Sequence, residues 1–171
     1  MSGYTHVYTG NGKGKTTAAI GLALRAVGAG WRVFLGQFIK NESSSELAAL
    51  RQFDEQVTIH HFGKGQFITG RPADDDVATA QIGLRECKAA LVCGDYQLVV
   101  LDEVNLTTAL GLLAVEDLLD LIDAKPEGVE LVLTGRWAHP LILDRADLVT
   151  EMLECKHYYH QGVPARVGVE Q

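Results

Sequence analysis

The chain has 171 residues, one domain at roughly 150 residues per domain, and its 47% apolar, 22% charged composition excludes a largely disordered protein. A formal charge of -7, from 15 basic and 22 acidic residues, repels a phosphate backbone and excludes general nucleic-acid binding. No apolar stretch approaches the ~20 residues of a spanning helix, no secretory signal is expected, and three cysteines without a Cys-x-x-Cys pair fit neither a disulfide framework nor a zinc site, so a cytoplasmic setting is expected.

In chain order, β-rich runs alternate with helical patterns, and strands are expected at roughly 5–9, 32–39, 57–62, 97–102, 129–134 and 147–152. After the first strand, small and apolar residues from Thr16 to Ala29 form a helix stopped by Gly30. Ser43 and Glu46 have capping-box spacing ahead of Leu47 and Leu50. Asp74, Asp75 and Asp76 open a long helix in which Val77, Leu84, Cys87 and Leu91 share a face, with Gly94 ending it. Another helix, about 114–124, is closed by Pro126 and Gly128. Strand-helix-strand repetition predicts a single α/β domain spanning 1–171, with a parallel sheet of about six strands and helices on both faces. Ligands of such sheets bind at the carboxyl ends of the strands. Those ends carry Thr9–Thr17, Gln37–Asn41, Gly63–Arg71, Asp102–Thr108, Thr134–Pro140 and Glu151–Gln161.

The most informative of these ends is Gly10-Asn11-Gly12-Lys13-Gly14-Lys15-Thr16-Thr17, lying between a strand and a helix. Its glycines let backbone N–H groups turn inward, the helix N-terminus adds positive potential, Lys15 reaches phosphate oxygens, and Thr16 offers a hydroxyl to Mg²⁺. Thr9 stands where the common phosphate-loop pattern has glycine. Asp102 and Glu103 end an apolar strand, as the Mg²⁺-contacting acidic pair of phosphate-loop enzymes does; alone, such a pair also reads as a helix cap. Arg136, after Thr134-Gly135, could hold a phosphate or be an ordinary surface arginine. Phe62, Phe67, Trp137, Tyr158 and Tyr159 fall at or beyond strand ends, where aromatics line pockets or pack cores.

Taken together, Thr9 to Ala19, Gln37-Phe38-Ile39-Lys40, Leu101-Asp102-Glu103, Leu133-Thr134-Gly135-Arg136, Val149-Thr150-Glu151-Met152, Lys156-His157 and Gly168-Val169-Glu170 resemble the phosphate-loop class of ATP:corrinoid adenosyltransferases. The resemblance implies attack by the Co(I) of a reduced corrinoid on the 5′ carbon of ATP, with release of triphosphate, in cobalamin synthesis or salvage. It gives the residues from Gly10 to Thr17 to the nucleotide, with Gly12, Lys13, Gly14, Lys15, Thr16 and Thr17 cradling a triphosphate bound in reversed orientation. Thr16 and Glu103, supported by Asp102, are given to Mg²⁺, Arg136 and Arg25 to phosphate or ribose, and Phe67 to the corrinoid. It further implies a homodimer and a separate electron-donating reductase. Whether the corrinoid is complete or a precursor stays open, since the stretch around Phe67 lacks a tryptophan. Two other functions compete: a small phosphate-loop kinase or ATPase, although no arginine-rich lid is evident, and a regulator that binds ATP without chemistry.

Overall fold

The computed structural model describes residues 2–39, 45–63, 65 and 70–170. Six strands, β1 (Thr5–Thr9), β2 (Val33–Phe38), β3 (Val57–Phe62), β4 (Leu98–Asp102), β5 (Glu130–Thr134) and β6 (Leu148–Glu151), form one sheet in the order β3-β2-β4-β5-β1-β6. Every neighbouring pair is parallel. Each strand lies within a residue or so of its expected span. The order places β5 between the loop-bearing β1 and the acidic end of β4.

Strand side chains alternate between two cores because successive residues point to opposite faces. In β4, Leu98 and Val100 pack in one cluster and Val99 and Leu101 in the other, all nearly inaccessible. The first cluster is covered by α1 (Lys15–Gly28) and α2 (Ser45–Leu50). Ala19, Ala23 and Ala26 on α1 let that helix approach the sheet closely, and Gly30, at φ +81, ends its run. The second cluster is covered by α3 (Asp74–Val92), α5 (Val115–Asp123) and α6 (Pro140–Arg145). Leu84, Cys87 and Leu91 are buried on α3 as the periodicity predicts, with Val77 packed against the same core. Gly83 sits where a Cβ would come within 2.7 Å of Phe62 side-chain atoms, so this crossing requires glycine.

Two short helices occupy spans to which no element was assigned from sequence: α4 (Val104–Ala109) and α6. In α4, the Thr107 and Thr108 hydroxyls donate to carbonyls three residues back, which supports one and a half turns that show no long periodicity. Pro140 opens α6 and His139 Nδ1 accepts from the Leu141 N–H at 3.2 Å, a cap and first-turn proline that arrest the chain as a helix. Ser43, the expected cap of α2, lies outside the described residues. Among the described residues, no helix is long and apolar enough to cross a membrane.

Candidate functional site

The loop between β1 and α1 wraps the N-terminus of a 14-residue helix. Gly10 and Gly14 have φ +92 and +122, left-handed values that glycine alone adopts without penalty. Lys15 is 7% exposed, and its ammonium donates to the carbonyls of Gly10 and Gly12 at 2.8 Å each. Thr9, replacing the usual glycine, is buried; its hydroxyl accepts from the Ala138 N–H at 3.3 Å and its carbonyl from Met152 N–H at 2.9 Å. Gly12 N–H donates to the Met152 carbonyl at 2.7 Å, joining the loop to the chain beyond β6. A threonine at position 9 therefore ties the loop sideways to the segments after β5 and β6.

Behind the loop, a polar row crosses the sheet. Gln37, Asp102 and Thr134 end β2, β4 and β5 on the α1 face. Fully buried Asp102 accepts from Thr16 Oγ1 at 2.8 Å, Thr134 Oγ1 at 2.6 Å and Gln37 Nε2 at 3.1 Å. Thr134 Oγ1 also accepts from the Glu103 N–H at 2.9 Å. The Oε1 of Gln37 is buried with no hydrogen-bond partner among the described residues. From the sequence Gln37 stood in a strand-end span and a matched block without a role of its own, yet a glutamine among five buried residues of an apolar strand was the available signal.

Backbone strain collects on the same crest. Among the described residues, the non-glycine positions of positive φ are Ile39 (+67), Glu103 (+61) and Trp137 (+56), just beyond β2, β4 and β5. For β-branched Ile39 this is a genuine outlier. Such strain persists only where surrounding contacts impose it, and the exits of β4 and β5 bring Glu103 and Arg136 to one cleft.

That cleft, about 600 Å³, is lined by residues 11–17 of the loop, Ile20, Ser45, Glu46, Glu103, Arg136, His157 and Gly168 to Glu170. The structure thus brings Asn11, Gly12, Lys13, Gly14, Lys15, Thr16, Thr17, Glu103 and Arg136 together, with Gly10 and Asp102 immediately behind. Arg25 is not brought to it. Ten residues along α1 from Lys15, about 15 Å at 1.5 Å per residue, it is exposed and does not line the cleft. Its charge acts instead on Tyr8, whose phenol is pushed above its usual range mainly by burial, with Arg25 working in the opposite direction. The rise of α1 thus places Arg25 away from this cleft. Phe67, and Lys40 and Asn41 from the second strand end, lie outside the described residues.

Lys13, which lines the cleft, also makes contacts outside the loop. Its ammonium donates to Glu170 Oε1 at 2.6 Å, the Val169 carbonyl at 2.7 Å and Tyr158 Oη at 3.3 Å. Glu170 also accepts from Tyr158 Oη and from Arg166 Nε and an Arg166 terminal nitrogen, the latter two at 3.2 Å. These donors, Arg166 first, hold the Glu170 carboxyl well below the usual carboxylate range. Among the described residues, no group of three His, Cys, Asp or Glu side chains is arranged to hold a metal ion.

A family model described as ATP:corrinoid adenosyltransferase BtuR/CobO/CobP matches residues 1–171. The chain is 39% identical over 165 residues to the corrinoid adenosyltransferase of Pseudomonas aeruginosa, covering 96% of this chain and 81% of that one. It is 37% identical over 167 residues to the corrinoid adenosyltransferase CobA of Salmonella typhimurium and 34% over 165 residues to the corrinoid adenosyltransferase of Escherichia coli. Both alignments cover 96% of this chain and 83% of the relative.

Proposed function

The chain belongs to the ATP:corrinoid adenosyltransferase family, enzymes of cobalamin synthesis or salvage that act on ATP and a reduced corrinoid, and we propose that its cleft holds the triphosphate of ATP. The observation carrying this reading is the buried Lys15 ammonium, held at the N-terminus of α1 within a loop whose lining residues surround one cleft. A lysine that donates to loop carbonyls at 2.8 Å can exchange those neutral acceptors for phosphate oxygens, which attract it more strongly.

The bond changes are simple. The lone pair of Co(I) attacks the ribose 5′ carbon, the cobalt–carbon bond forms, and the bond from that carbon to the α-phosphate oxygen breaks with its electron pair leaving on triphosphate. No proton moves, so no general base is required. The protein's task is to hold the ribose in line and stabilise the negative charge that grows on the leaving chain. Lys15, the loop N–H groups, the helix N-terminus and Arg136 serve that charge.

The donor set suits a magnesium ion. Thr16, Asp102 and Glu103 offer oxygen atoms only, and Mg²⁺ prefers oxygen, taking few protein ligands beside phosphates and water. The unpartnered Gln37 Oε1 beside Asp102 is an acceptor suited to a metal-bound water. Thr16 and Glu103 would hold the ion with Asp102 supporting, and when bound it supplies further neutralisation of the leaving group. The same reading includes a homodimer, a cytoplasmic setting, and a reductase that delivers the electron to cobalt, because no flavin or iron-sulfur motif occurs in the chain. Phe67 is assigned to the corrinoid side.

The test is a reaction with chemically generated Co(I) corrinoid under anaerobic conditions, followed by visible absorption. Loss of the Co(I) spectrum and growth of a light-sensitive alkylcobalt spectrum, each requiring both ATP and protein, are expected. A Co(I) spectrum that persists while ATP is demonstrably bound would overturn the reading.

A further inference from the structure

We propose that Lys13 and Glu170 form a clasp that holds residues 166–170 as one wall of the triphosphate cleft, so that Lys13 acts as a positioning residue rather than a phosphate ligand. The inference rests on the nucleotide reading of the cleft and extends it to a part of the chain with no recognised phosphate motif.

The two loop lysines lie in opposite environments. Lys15 is 7% exposed and turns into the loop, whereas the Lys13 side chain is 40% exposed and turns outward to a segment more than 150 residues away. Three acceptors from outside the loop meet its ammonium, a full set for three N–H donors. The receiving segment is itself built to hold a shape. Val169 N–H and Glu170 N–H both donate to the Arg166 carbonyl, at 3.2 and 2.9 Å, and Gly168 takes φ +80 to close that turn. The Arg166 guanidinium lies 5.0 Å from the Tyr158 ring centroid while also reaching Glu170. His157, next to Tyr158, lines the cleft together with Gly168, Val169 and Glu170.

Charge explains why a carboxylate can stand in the wall of a polyanion site. Alone, Glu170 would repel triphosphate, but Lys13 and Arg166 carry two positive charges against its one negative. The wall is left with net positive charge, and its backbone is fixed by the same contacts. Glu170 therefore serves as the hub through which the loop and the wall hold each other.

Titration calorimetry of Mg-ATP binding to the wild-type chain, Lys13→Met, Glu170→Gln and the double variant tests this. Each single change is expected to weaken binding about tenfold, and the double no more than the weaker single, because neighbours acting through one contact are not additive. Amide hydrogen exchange at 166–170 should quicken in both single variants, while thermal unfolding midpoints stay close to wild type. Wild-type affinity in Glu170→Gln beside a loss in Lys13→Met would overturn the clasp, as would losses that multiply in the double variant, since both outcomes make Lys13 a direct phosphate contact. Failure of the wild-type chain to bind Mg-ATP would instead overturn the nucleotide reading itself, and the clasp with it.

Discussion

On its loop side the cleft rests on the ends of parallel strands and on α1, and there Lys15 and Asp102 are buried behind a half-buried Thr16. On the side made by residues 157–170 there is one 3-10 turn (Tyr158–Gln161) and otherwise irregular chain, with Lys13, Arg166 and Glu170 held at the surface by side-chain contacts. The first wall is positioned by the core of the domain and the second largely by its own polar bonds. Charged groups that must not move, and whose loss leaves buried partners exposed to no water, belong on the first; groups that admit and release a ligand belong on the second.

The difference predicts where damage is greatest. Lys15→Ala should reduce kcat/KM on the order of 10³-fold, about 4 kcal/mol of leaving-group stabilisation, with an unchanged far-ultraviolet circular dichroism spectrum. A loss of less than tenfold would erase the distinction between the two lysines. Asp102→Ala strands the Thr16, Thr134 and Gln37 donors, and urea denaturation should show it less stable by about 3 kcal/mol. No equivalent loss is expected for any one side chain of the second wall.

Gly12 lies at the joint. A Cβ there would come within 2.7 Å of the Met152 carbonyl oxygen and 2.8 Å of Leu153 backbone atoms. Gly12→Ala should cost about 1–3 kcal/mol in denaturant unfolding through overpacking, and should quicken amide exchange at residues 152–155 before it changes the sheet. Exchange altered uniformly across the molecule would mean that the two walls are not separable.

The smallest effect is with pH. Because its partners lower the Glu170 pKa, the stabilisation from that carboxylate is fully present above the ordinary glutamate value, about 4.3, and is lost only as pH falls through the lowered value beneath it. Between pH 7 and pH 5, amide exchange at 166–170, referred to intrinsic rates, should therefore stay constant. A rise in that window would show a carboxylate that protonates too easily to act as the hub.

The same contrast explains what the sequence made legible. Strand spans, both cores and the loop side rest on local patterns: apolar runs, the Gly-Lys-Thr step into a helix, and an acidic pair after a buried strand. Arg25 came to the site through the resemblance alone, and ten residues of helix rise set it apart from the cleft that Lys15 lines. The short helices α4 and α6 carry too few residues to display a period. Parts of the second wall were visible as the strand-end span to Gln161, Tyr158 and Tyr159, and the matched Lys156-His157 and Gly168-Val169-Glu170 blocks, but the contact between Lys13 and Glu170 was not, because they are 157 residues apart and nothing in either neighbourhood names the other.

The central claim is that the loop stabilises a departing triphosphate, and phosphorus NMR of the reaction of ATP with a Co(I) corrinoid tests it most directly. Intact triphosphate should appear in an amount equal to the adenosylated corrinoid, with little ADP or free phosphate. ADP formed as the main product without need of corrinoid would contradict the account, because the same lysine, loop and acidic pair would then be acting on the terminal phosphate.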